Sequence, residues 1–436
     1  MAERVGLAGE LNCSACLHGW RSVSRENWVD DARPRKDGPP PVHSTAAFSG
    51  VPQSGTEWDF AGLLKALETV PDPRKRRGRM YGLVFVLAAS LIAVLAGASN
   101  FRQVADHVAD LPQSLLSQLG ARWCYFRMIF AFPGERTIRR LLCDVDADAL
   151  DRAAGTWLRS NIGVDAGGVL ALAIDGKVLR GSWTDENAQF TLFSAMVQKV
   201  GVTIAQVEVP AGTNEITQVE GLLEAMPVAN ADKVVITADA AHTQRETARH
   251  IKDVRGFDYF LQVKGNQPNL LAAVFERVSP LLKGDPGHSV TERGHGRVNA
   301  WDTWVTDAAG IDFPCAVRAA CIRRKVFTFA GECKSKELAW ILSSAEATAE
   351  DFHTYVRSHW GIENKSHYVR DTTWSEDTHQ AYTGNGPRVM ATLRNLAAGI
   401  LRLNGVGDIK RTTERIARDR YRALSLLSLR TVTATT

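Results

Sequence analysis

The spacing of hydrophobic residues changes part-way along the chain from a helical period to short, strand-like runs. Between residues 56 and 162 the apolar positions repeat at helical spacing, as in FAGLLKALETV, which ends at Pro71. The run from Leu83 to Ala98 is almost entirely apolar, yet it is shorter than the roughly 20 residues that span a bilayer. We therefore expect a buried helix there, within a small all-helical domain.

Short apolar runs typical of buried strands begin at Gly168. The run VLALAID ends in Asp175, after which Gly176 is expected to turn the chain, and the run KVVITAD ends in Asp239. The whole segment predicts three strands, a helix, a strand, a helix and a strand. Because near-continuous apolar runs indicate strands that are covered on both faces, we expect an α/β fold with a mixed sheet between flanking helices.

A β-rich insertion is expected between residues 276 and 337, where polar and apolar residues alternate in short pieces. Strand character then resumes, and a long helix begins near Thr348 or Glu350. Spacings of four, four and three residues place four polar side chains on one face of that helix, namely His359, Glu363, His367 and Arg370.

The predicted organisation has six parts. They are a disordered tail (1–55), a helical domain (56–162), the two parts of the sheet domain (163–275 and 338–405), the insertion between them (276–337) and a basic helical segment (406–436). The tail is expected to be disordered because its Pro-, Gly- and Ser-rich composition cannot bury enough apolar surface to fold.

The composition is that of an ordinary globular protein, with 45% hydrophobic residues, 23% charged residues and a formal net charge of +4. That charge is too small to indicate nucleic-acid binding by itself. The cations are concentrated in the stretch 74–79 and again between Lys410 and Arg422, which are either solvated faces or contact surfaces for an anionic partner. Seven cysteines without regular spacing predict reduced thiols and a cytoplasmic location.

Three acidic residues form the candidate chemical site. Asp175 and Asp239 each end an apolar strand, and open α/β sheets bind their ligands at the carboxyl ends of strands. Taken singly, each aspartate is better explained as a turn or cap residue. Together with Glu363 on a later helix, however, they predict a cluster of carboxylates.

Neighbouring carboxylates repel one another and need a cation between them. Oxygen ligands suit Mg²⁺ or Mn²⁺, and two such ions about 4 Å apart stabilise the attacking and leaving oxygens of a phosphoryl displacement. In that arrangement Asp175 bridges both ions, whereas Asp239 and Glu363 each hold one. A zinc site formed by His359, Glu363 and His367 is the alternative, but it leaves the two aspartates without a role.

Several separate motifs occur in one order along residues 60–428. They are VPDPR at 70–74, TIRRL at 137–141, IDGKVLRGS at 174–182, VKGNQP at 263–268, HWGIEN at 359–364 and TGN at 383–385. These motifs resemble those of DDE-type insertion-sequence transposases, in particular the H-repeat-associated group. The resemblance implies an RNase H-like catalytic fold and Mg²⁺-dependent cleavage and joining of DNA at terminal repeats. It also implies that Asp175, Asp239 and Glu363 are the catalytic, metal-binding acids, and that the helical domain (56–162) is a leader or DNA-binding domain.

The chain departs from the wider group around its last acid. That group places a Tyr seven residues and an Arg four residues before the Glu, and a Lys seven residues after it. Here those positions hold Val356, His359 and Arg370. His359 carries a charge only when it is protonated, whereas Arg370 is expected to contact phosphate as a Lys would. The sequence around Asp239 also matches the family's motif less closely than the sequence around Asp175 does.

The candidate DNA contacts are polar residues near the acids or in the insertion: Lys177, Arg180, Lys264, Arg297, His359 and Arg370. The alternative interpretation is that they are solvated surface residues. The implied partners are double-stranded DNA, both element ends and target, and a second copy of the chain on that DNA. We expect neither a membrane nor a small-molecule substrate, and we expect the protein to associate with the nucleoid. A catalytically silent DNA-binding protein derived from a transposase is the alternative function.

Overall fold

The computed structural model describes residues 60–163, 168–183, 189–230, 232–294 and 296–427. The tail predicted to be disordered (1–55) and the last residues of the basic segment lie outside the described residues. Among the helices that are described, none is long and apolar enough to cross a membrane.

The first described region is mainly helical, as predicted. Its helices are α1 (Phe60–Leu67), α2 (Leu83–Leu95), α3 (Phe101–Ala109), α4 (Gln113–Gln118), α5 (Glu135–Asp144) and α6 (Ala147–Ser160). The expected apolar helix is α2, which is buried along nearly its whole length. Two helices begin at side-chain caps: Asn100 accepts a hydrogen bond from the backbone N–H of Gln103 at 3.0 Å, and Asp146 accepts one from Ala149 at 2.9 Å.

A short hairpin interrupts this region, so the prediction that it is all-helical is wrong in that detail. Strands β1 (Trp123–Cys124) and β2 (Ile129–Phe130) pair antiparallel. The rings of Trp123 and Phe130 meet edge-on, with centroids 4.9 Å apart. Strands of this length contain too few residues for an alternating pattern to appear in the sequence.

The other described strands form one mixed sheet of nine strands. They are β3 (Val169–Trp183), β4 (Gln189–Val197), β5 (Val202–Val209), β6 (Lys233–Ala238), β7 (Asp258–Val263), β8 (His288–Gly294), β9 (Arg297–Asp307), β10 (Arg318–Thr328) and β11 (Cys333–Ser343). Their order in the sheet is β5-β4-β3-β6-β7-β11-β10-β9-β8. The neighbours β3, β6 and β7 run parallel, and the remaining pairs are antiparallel. The predicted succession is confirmed, because α7 (Val219–Ala225) precedes β6 and α8 (Arg245–Arg249) precedes β7.

The β-rich insertion is present, and it continues the main sheet. Helix α9 (Pro268–Val278) leads into it from β7. Strand β11 pairs antiparallel with β7, and β10, β9 and β8 follow outward in that order. The insertion therefore lengthens the sheet on the side of β7.

Strand β3 does not end at Asp175, contrary to the prediction from the apolar run. It extends to Trp183 and pairs with β4 on one side. Its parallel pairing with β6 stops at the Ala173–Thr237 pair, so Asp175 lies just beyond the end of that pairing. From Lys177 onward buried and exposed residues alternate, which is why the continuous apolar run stops while the strand goes on.

The predicted long helix begins as expected but is irregular. Thr348 forms a capping box with Asp351 at the start of α10 (Ala349–His359). A π-helical segment, Ile362–His367, follows and leads into α11 (Tyr368–Trp374). Short π-helical segments inside helices are frequent at functional sites.

Helix α12 (Gly386–Leu403) is buried along almost its whole length, and it packs against α2, α5, α6 and β5. Gly155 of α6 lies so close to β5 that a Cβ there would be 2.0 Å from the carbonyl oxygen of Ile204. Hydrophobic residues of the helical region and of the sheet belong to one continuous core. The two regions are thus packed together, and α13 (Ile409–Arg418) and α14 (Tyr421–Leu426) complete the described chain.

Candidate active site

The acids predicted from the sequence approach one another where the parallel pairing of β3 with β6 ends. Asp175 lies two residues beyond the last β3–β6 pair, and Asp239 directly follows β6. Burial raises the pKa of Asp175 to about 8, and the charges of three nearby carboxylates contribute to this shift: Glu215, Asp239 and Glu363. Asp175 is therefore the centre of a concentration of negative charge.

Asp239 is held by a turn at the end of β6. Its Oδ1 accepts a hydrogen bond from the backbone N–H of Ala241 at 3.0 Å, so its role as a cap is confirmed. Asn266, in the loop after β7, donates a hydrogen bond to the carbonyl oxygen of Ala240 at 2.8 Å. These contacts fix the carboxylate of Asp239 beside the loop that carries Lys264.

Glu363 is positioned by its neighbour in the π-helical segment. Ile362 is fully buried and packs against Ala173 of β3 and Met196 of β4. Glu363 itself is exposed. The buried isoleucine therefore anchors the segment over β3, and the glutamate lies at the solvent-facing side of the acid cluster.

Two histidines flank the acids as neutral rings. His359 Nδ1 lies 2.9 Å from Thr237 Oγ1, and burial lowers the pKa of His359 to about 4. His367 Nδ1 lies 3.7 Å from Asp175 Oδ2, and burial, followed by the charges of Arg370 and Lys177, lowers the pKa of His367 to about 3. The contact with Asp175 is consequently not an ion pair at neutral pH, and any contact of His359 with phosphate is made by a neutral ring.

Lys177 and Arg370 do not face solvent, which corrects the prediction that they contact phosphate. Lys177 is 7% exposed, and its Nζ lies 2.8 Å from Asp371 and 3.2 Å from Asp377. Arg370 is 1% exposed, and its Nε donates a hydrogen bond to Glu376 at 2.7 Å. Both cations are used in holding the segment after the π-helix in place.

Three other predicted cations are better placed for DNA contact. The side chain of Arg180 is 76% exposed, with its Nε 3.5 Å from Asp377. Arg297 is exposed at the start of β9. Lys264 is partly buried, and its charge contributes to the lowered pKa of His359, which places it near the acids. Their contact with DNA stays a prediction.

Glu215 belongs to the site, although the sequence analysis did not predict it. It begins the 3₁₀ turn Glu215–Gln218 between β5 and α7, and its charge raises the pKa of Asp175 more than those of Asp239 and Glu363 do. Its carboxylate lies against Gly176, because a Cβ at that position would be 1.7 Å from Oε1 of Glu215. A signal was present in the sequence, since a glycine inside a strand often marks the close approach of another group.

The chemistry of these side chains fits a divalent cation. They offer carboxylate oxygens, which Mg²⁺ and Mn²⁺ prefer, and a cation among them would offset the repulsion that raises the pKa of Asp175. Within the described part of the chain, no three His, Cys, Asp or Glu side chains already lie together as a metal site. Among the described residues, neither the predicted carboxylate site nor the alternative zinc site is therefore already assembled.

Two family models match the chain. The one described as DDE_Tnp_1-associated matches residues 64–158, in the helical region, and the one described as Transposase DDE domain matches residues 170–400, more than half of the chain. The chain belongs to the transposase DDE domain family. This DDE transposase thus carries the family's sheet region and its associated helical region in one core.

Relatives in Escherichia coli confirm the resemblance to the H-repeat-associated group. The transposase is 28% identical over 372 residues to "Putative transposase YncI" of strain O157:H7, covering 81% of this chain and 91% of that protein. It is also 28% identical over 382 residues to "H repeat-associated putative transposase YhhI" of strain K12, covering 84% and 97%. The piggyBac transposase, solved in a synaptic complex with hairpin DNA, shows 12% identity and a TM-score of 0.37 over 87% of this chain and 83% of that one.

Proposed function

We propose that this transposase cleaves DNA at the terminal inverted repeats of an insertion sequence and joins those ends to target DNA in a Mg²⁺-dependent reaction. One observation carries the proposal: the charges of Asp239 and Glu363 both act on Asp175, which lies just beyond the end of the β3–β6 pairing. Family membership supports the reaction class. The electrostatic effect of Asp239 and Glu363 on Asp175 supports these residues as the catalytic ones.

The catalytic region is proposed to be RNase H-like. In support, β5, β4 and β3 form an antiparallel group to which β6 and β7 add in parallel. The β-rich insertion follows β7 and precedes the helix that leads to Glu363, as the resemblance implies. A fold of this kind explains how residues far apart in sequence supply one carboxylate site.

Each acid lies on a structural element that is held in place by neighbouring residues, and from there it would bind a cation. Asp175 is fixed by the pairing of β3 with β4, Asp239 by its capped turn, and Glu363 by the buried Ile362. Bound divalent cations would supply electrostatic stabilisation to the attacking and leaving oxygens of phosphoryl transfer. The neutral rings of His359 and His367 add no competing positive charge beside these carboxylates.

Cations of the insertion provide a surface for the DNA backbone. Arg297, Arg324 and Lys334 line a polar groove of about 420 Å³ together with Glu337, which lies 3.6 Å from Arg324. Arg324 also lines the space between this sheet face and α10, which extends to His359. We therefore propose that DNA lies along this face and reaches the acids at its inner end. Pairing of two element ends would place two copies of the chain on that DNA.

The test uses the full-length chain and linear DNA that carries the element's terminal repeats, taken from the DNA flanking the coding region. We expect Mg²⁺-dependent cleavage at the repeat ends and joining of a pre-cut end to target DNA. Asp175→Asn, Asp239→Asn and Glu363→Gln should each slow cleavage by about 100-fold or more, because several kcal/mol of charge stabilisation are lost. DNA binding should persist in all three variants.

Glu350→Gln is the matched control, because Glu350 is exposed in the first turn of α10 and should be dispensable for cleavage. Cleavage at the normal rate by Asp175→Asn would show that the acids are wrongly assigned. If the unaltered chain bound repeat DNA without cleaving it in Mg²⁺ or Mn²⁺, a catalytically silent DNA-binding protein would be favoured. Cleavage without joining would instead indicate a nuclease.

A further inference from the structure

The backbone of β3 leaves room for a fourth acid beside Asp175. A Cβ on Gly176 would lie 1.7 Å from Oε1 and 2.0 Å from Cδ of Glu215, far inside contact distance. Gly176 directly follows Asp175 in the strand. The carboxylate of Glu215 therefore occupies the space that any other residue at position 176 would fill with its side chain.

A buried histidine is aimed at the same carboxylate. His242 is 1% exposed, and its Nε2 lies 3.5 Å from Oε2 of Glu215. Neither ring nitrogen makes a hydrogen bond within the described residues. The ring is held in place by stacking on Phe193, with centroids 4.9 Å apart, and Phe193 is the β4 partner of Gly176. A buried imidazole with no hydrogen bond among the described residues thus faces the carboxylate of Glu215.

The turn that carries Glu215 does not need the glutamate for its own stability. Asn214 caps the turn by accepting a hydrogen bond from the backbone N–H of Ile216 at 3.1 Å. The side chain of Glu215 is 31% exposed, so its carboxylate is near the solvent side of the site and can be reached by a ligand. Its position is explained by what lies around Asp175 and not by capping.

We propose that Glu215 takes part in binding the divalent cation for which Asp175, Asp239 and Glu363 are the proposed ligands. Gly176 leaves room for its carboxylate, and the buried ring of His242 faces it. The inference rests on the proposed function, because it assigns a further oxygen donor to the same site. Additional carboxylate charge and oxygen donors favour binding of Mg²⁺ and Mn²⁺.

The test measures Mn²⁺ binding to the full-length chain by calorimetry without DNA, so it does not depend on cleavage. Glu215→Gln keeps the size of the side chain and removes its charge, and we expect it to weaken Mn²⁺ binding by about tenfold or more. Glu220→Gln is the control, because Glu220 is an exposed acid on the neighbouring helix α7 and should not affect binding. Asp175→Asn reports separately on the proposed site and should also weaken binding.

A double-mutant cycle tests the role of Gly176. Gly176→Ala should weaken Mn²⁺ binding by displacing the carboxylate of Glu215. The same substitution should have little further effect once Glu215→Ala has removed that carboxylate. If Gly176→Ala fails to fold, the comparison of Glu215→Gln with the unaltered chain still decides the question.

Two outcomes would overturn the inference, and they are distinguishable. Unchanged Mn²⁺ affinity in Glu215→Gln, with weakened affinity in Asp175→Asn, would remove Glu215 from the site and leave the proposed function intact. Unchanged affinity in both variants would overturn the cation site as a whole. Equal effects of Glu215→Gln and Glu220→Gln would show only a general loss of negative charge, and would also overturn the assignment.

Discussion

Arg370 Nε donates a hydrogen bond to Glu376 Oε2 over 2.7 Å, and both side chains are only 1% exposed. Arg394 of α12 donates to the other carboxylate oxygen at 2.9 Å. The three groups join α11, which follows the π-helical segment, to the central helix α12. This ionic cluster supports the segment that carries Glu363, and it is the reason that Arg370 is not available to DNA.

Replacing Glu376 should destabilise the fold in a pH-dependent way. Burial opposes ionisation of Glu376, but Arg370 and Arg394 outweigh it and lower the pKa from 4.5 to about 2. Because the folded pKa is the lower one, the stabilisation is present above pH 4.5 and is lost as the pH falls towards 2. Glu376→Gln should lower the free energy of unfolding at neutral pH by about 3–5 kcal/mol, since it leaves buried cations unpaired. Denaturant unfolding from neutral pH to about pH 3 measures the difference, which should shrink below pH 4.5. A difference that stays constant with pH would contradict the ionic pairing.

Two cations of β3 should have separable effects. Lys177→Ala leaves Asp371 and Asp377 without their buried partner and should lower the free energy of unfolding by about 1–3 kcal/mol. Arg180→Ala removes a side chain that is 76% exposed, and should change stability by less than about 0.5 kcal/mol. If Arg180 contacts a phosphate, its loss should reduce the salt dependence of DNA binding by about one unit of slope. Unfolding curves and DNA titrations at several salt concentrations test both variants, and the reverse pattern would refute this division of roles.

Two glycines in helices should respond in opposite directions to alanine. Gly155→Ala would place a methyl group 2.0 Å from the backbone oxygen of Ile204, so α6 and β5 must separate, at a cost of about 1–3 kcal/mol. Gly221 of α7 has no atoms within 4 Å of the corresponding position. Gly221→Ala should therefore stabilise the chain by about 0.5–1 kcal/mol through the better helix propensity of alanine. Thermal or denaturant unfolding measures both changes, and equal effects would argue against close packing of α6 on β5.

The two faces of the insertion should contribute unequally to DNA binding. The strand register places Arg297 on the same face as Arg324, whereas Lys336 pairs with Lys325 on the opposite face. Arg297→Ala should weaken DNA binding and reduce its salt slope by about one, as expected for one lost phosphate contact. Lys336→Ala removes an exposed cation from the other face and should leave the slope unchanged. Equal losses would show that charge alone, and not the face, governs binding.

The order of strands and helices and the candidate acids could be predicted because both leave local signals. The apolar runs before Asp175 and Asp239 indicate the strands, and the HWGIEN motif around Glu363 indicates the family. The length of β3 was not predictable from its apolar run, because beyond Asp175 the strand is paired with β4 and no longer with β6. Burial on both faces, and not strand conformation, produces such a run.

The partners of the charged residues could not be predicted, because they are set by packing between distant segments. Lys177 meets Asp371 across 194 positions of sequence, so its local motif gives no sign that it is buried. Glu215 was missed for the same reason, since it is brought to Asp175 by the return of the chain after β5. Only Gly176 pointed to that approach, and a single glycine in a strand does not identify the group that approaches it.

The direction in which Glu363 points depends on the number of residues in the π-helical segment Ile362–His367 as well as on their identity. An α-helix turns by about 100° per residue, and a π-helical turn accommodates one residue more than an α-helical turn. Deleting one residue from this segment would leave an ordinary α-helical turn and keep α11 nearly in phase with α10, whereas deleting a second residue would rotate α11 by about 100° and carry Arg370 away from Glu376. The number of residues between the two helices sets their rotational phase.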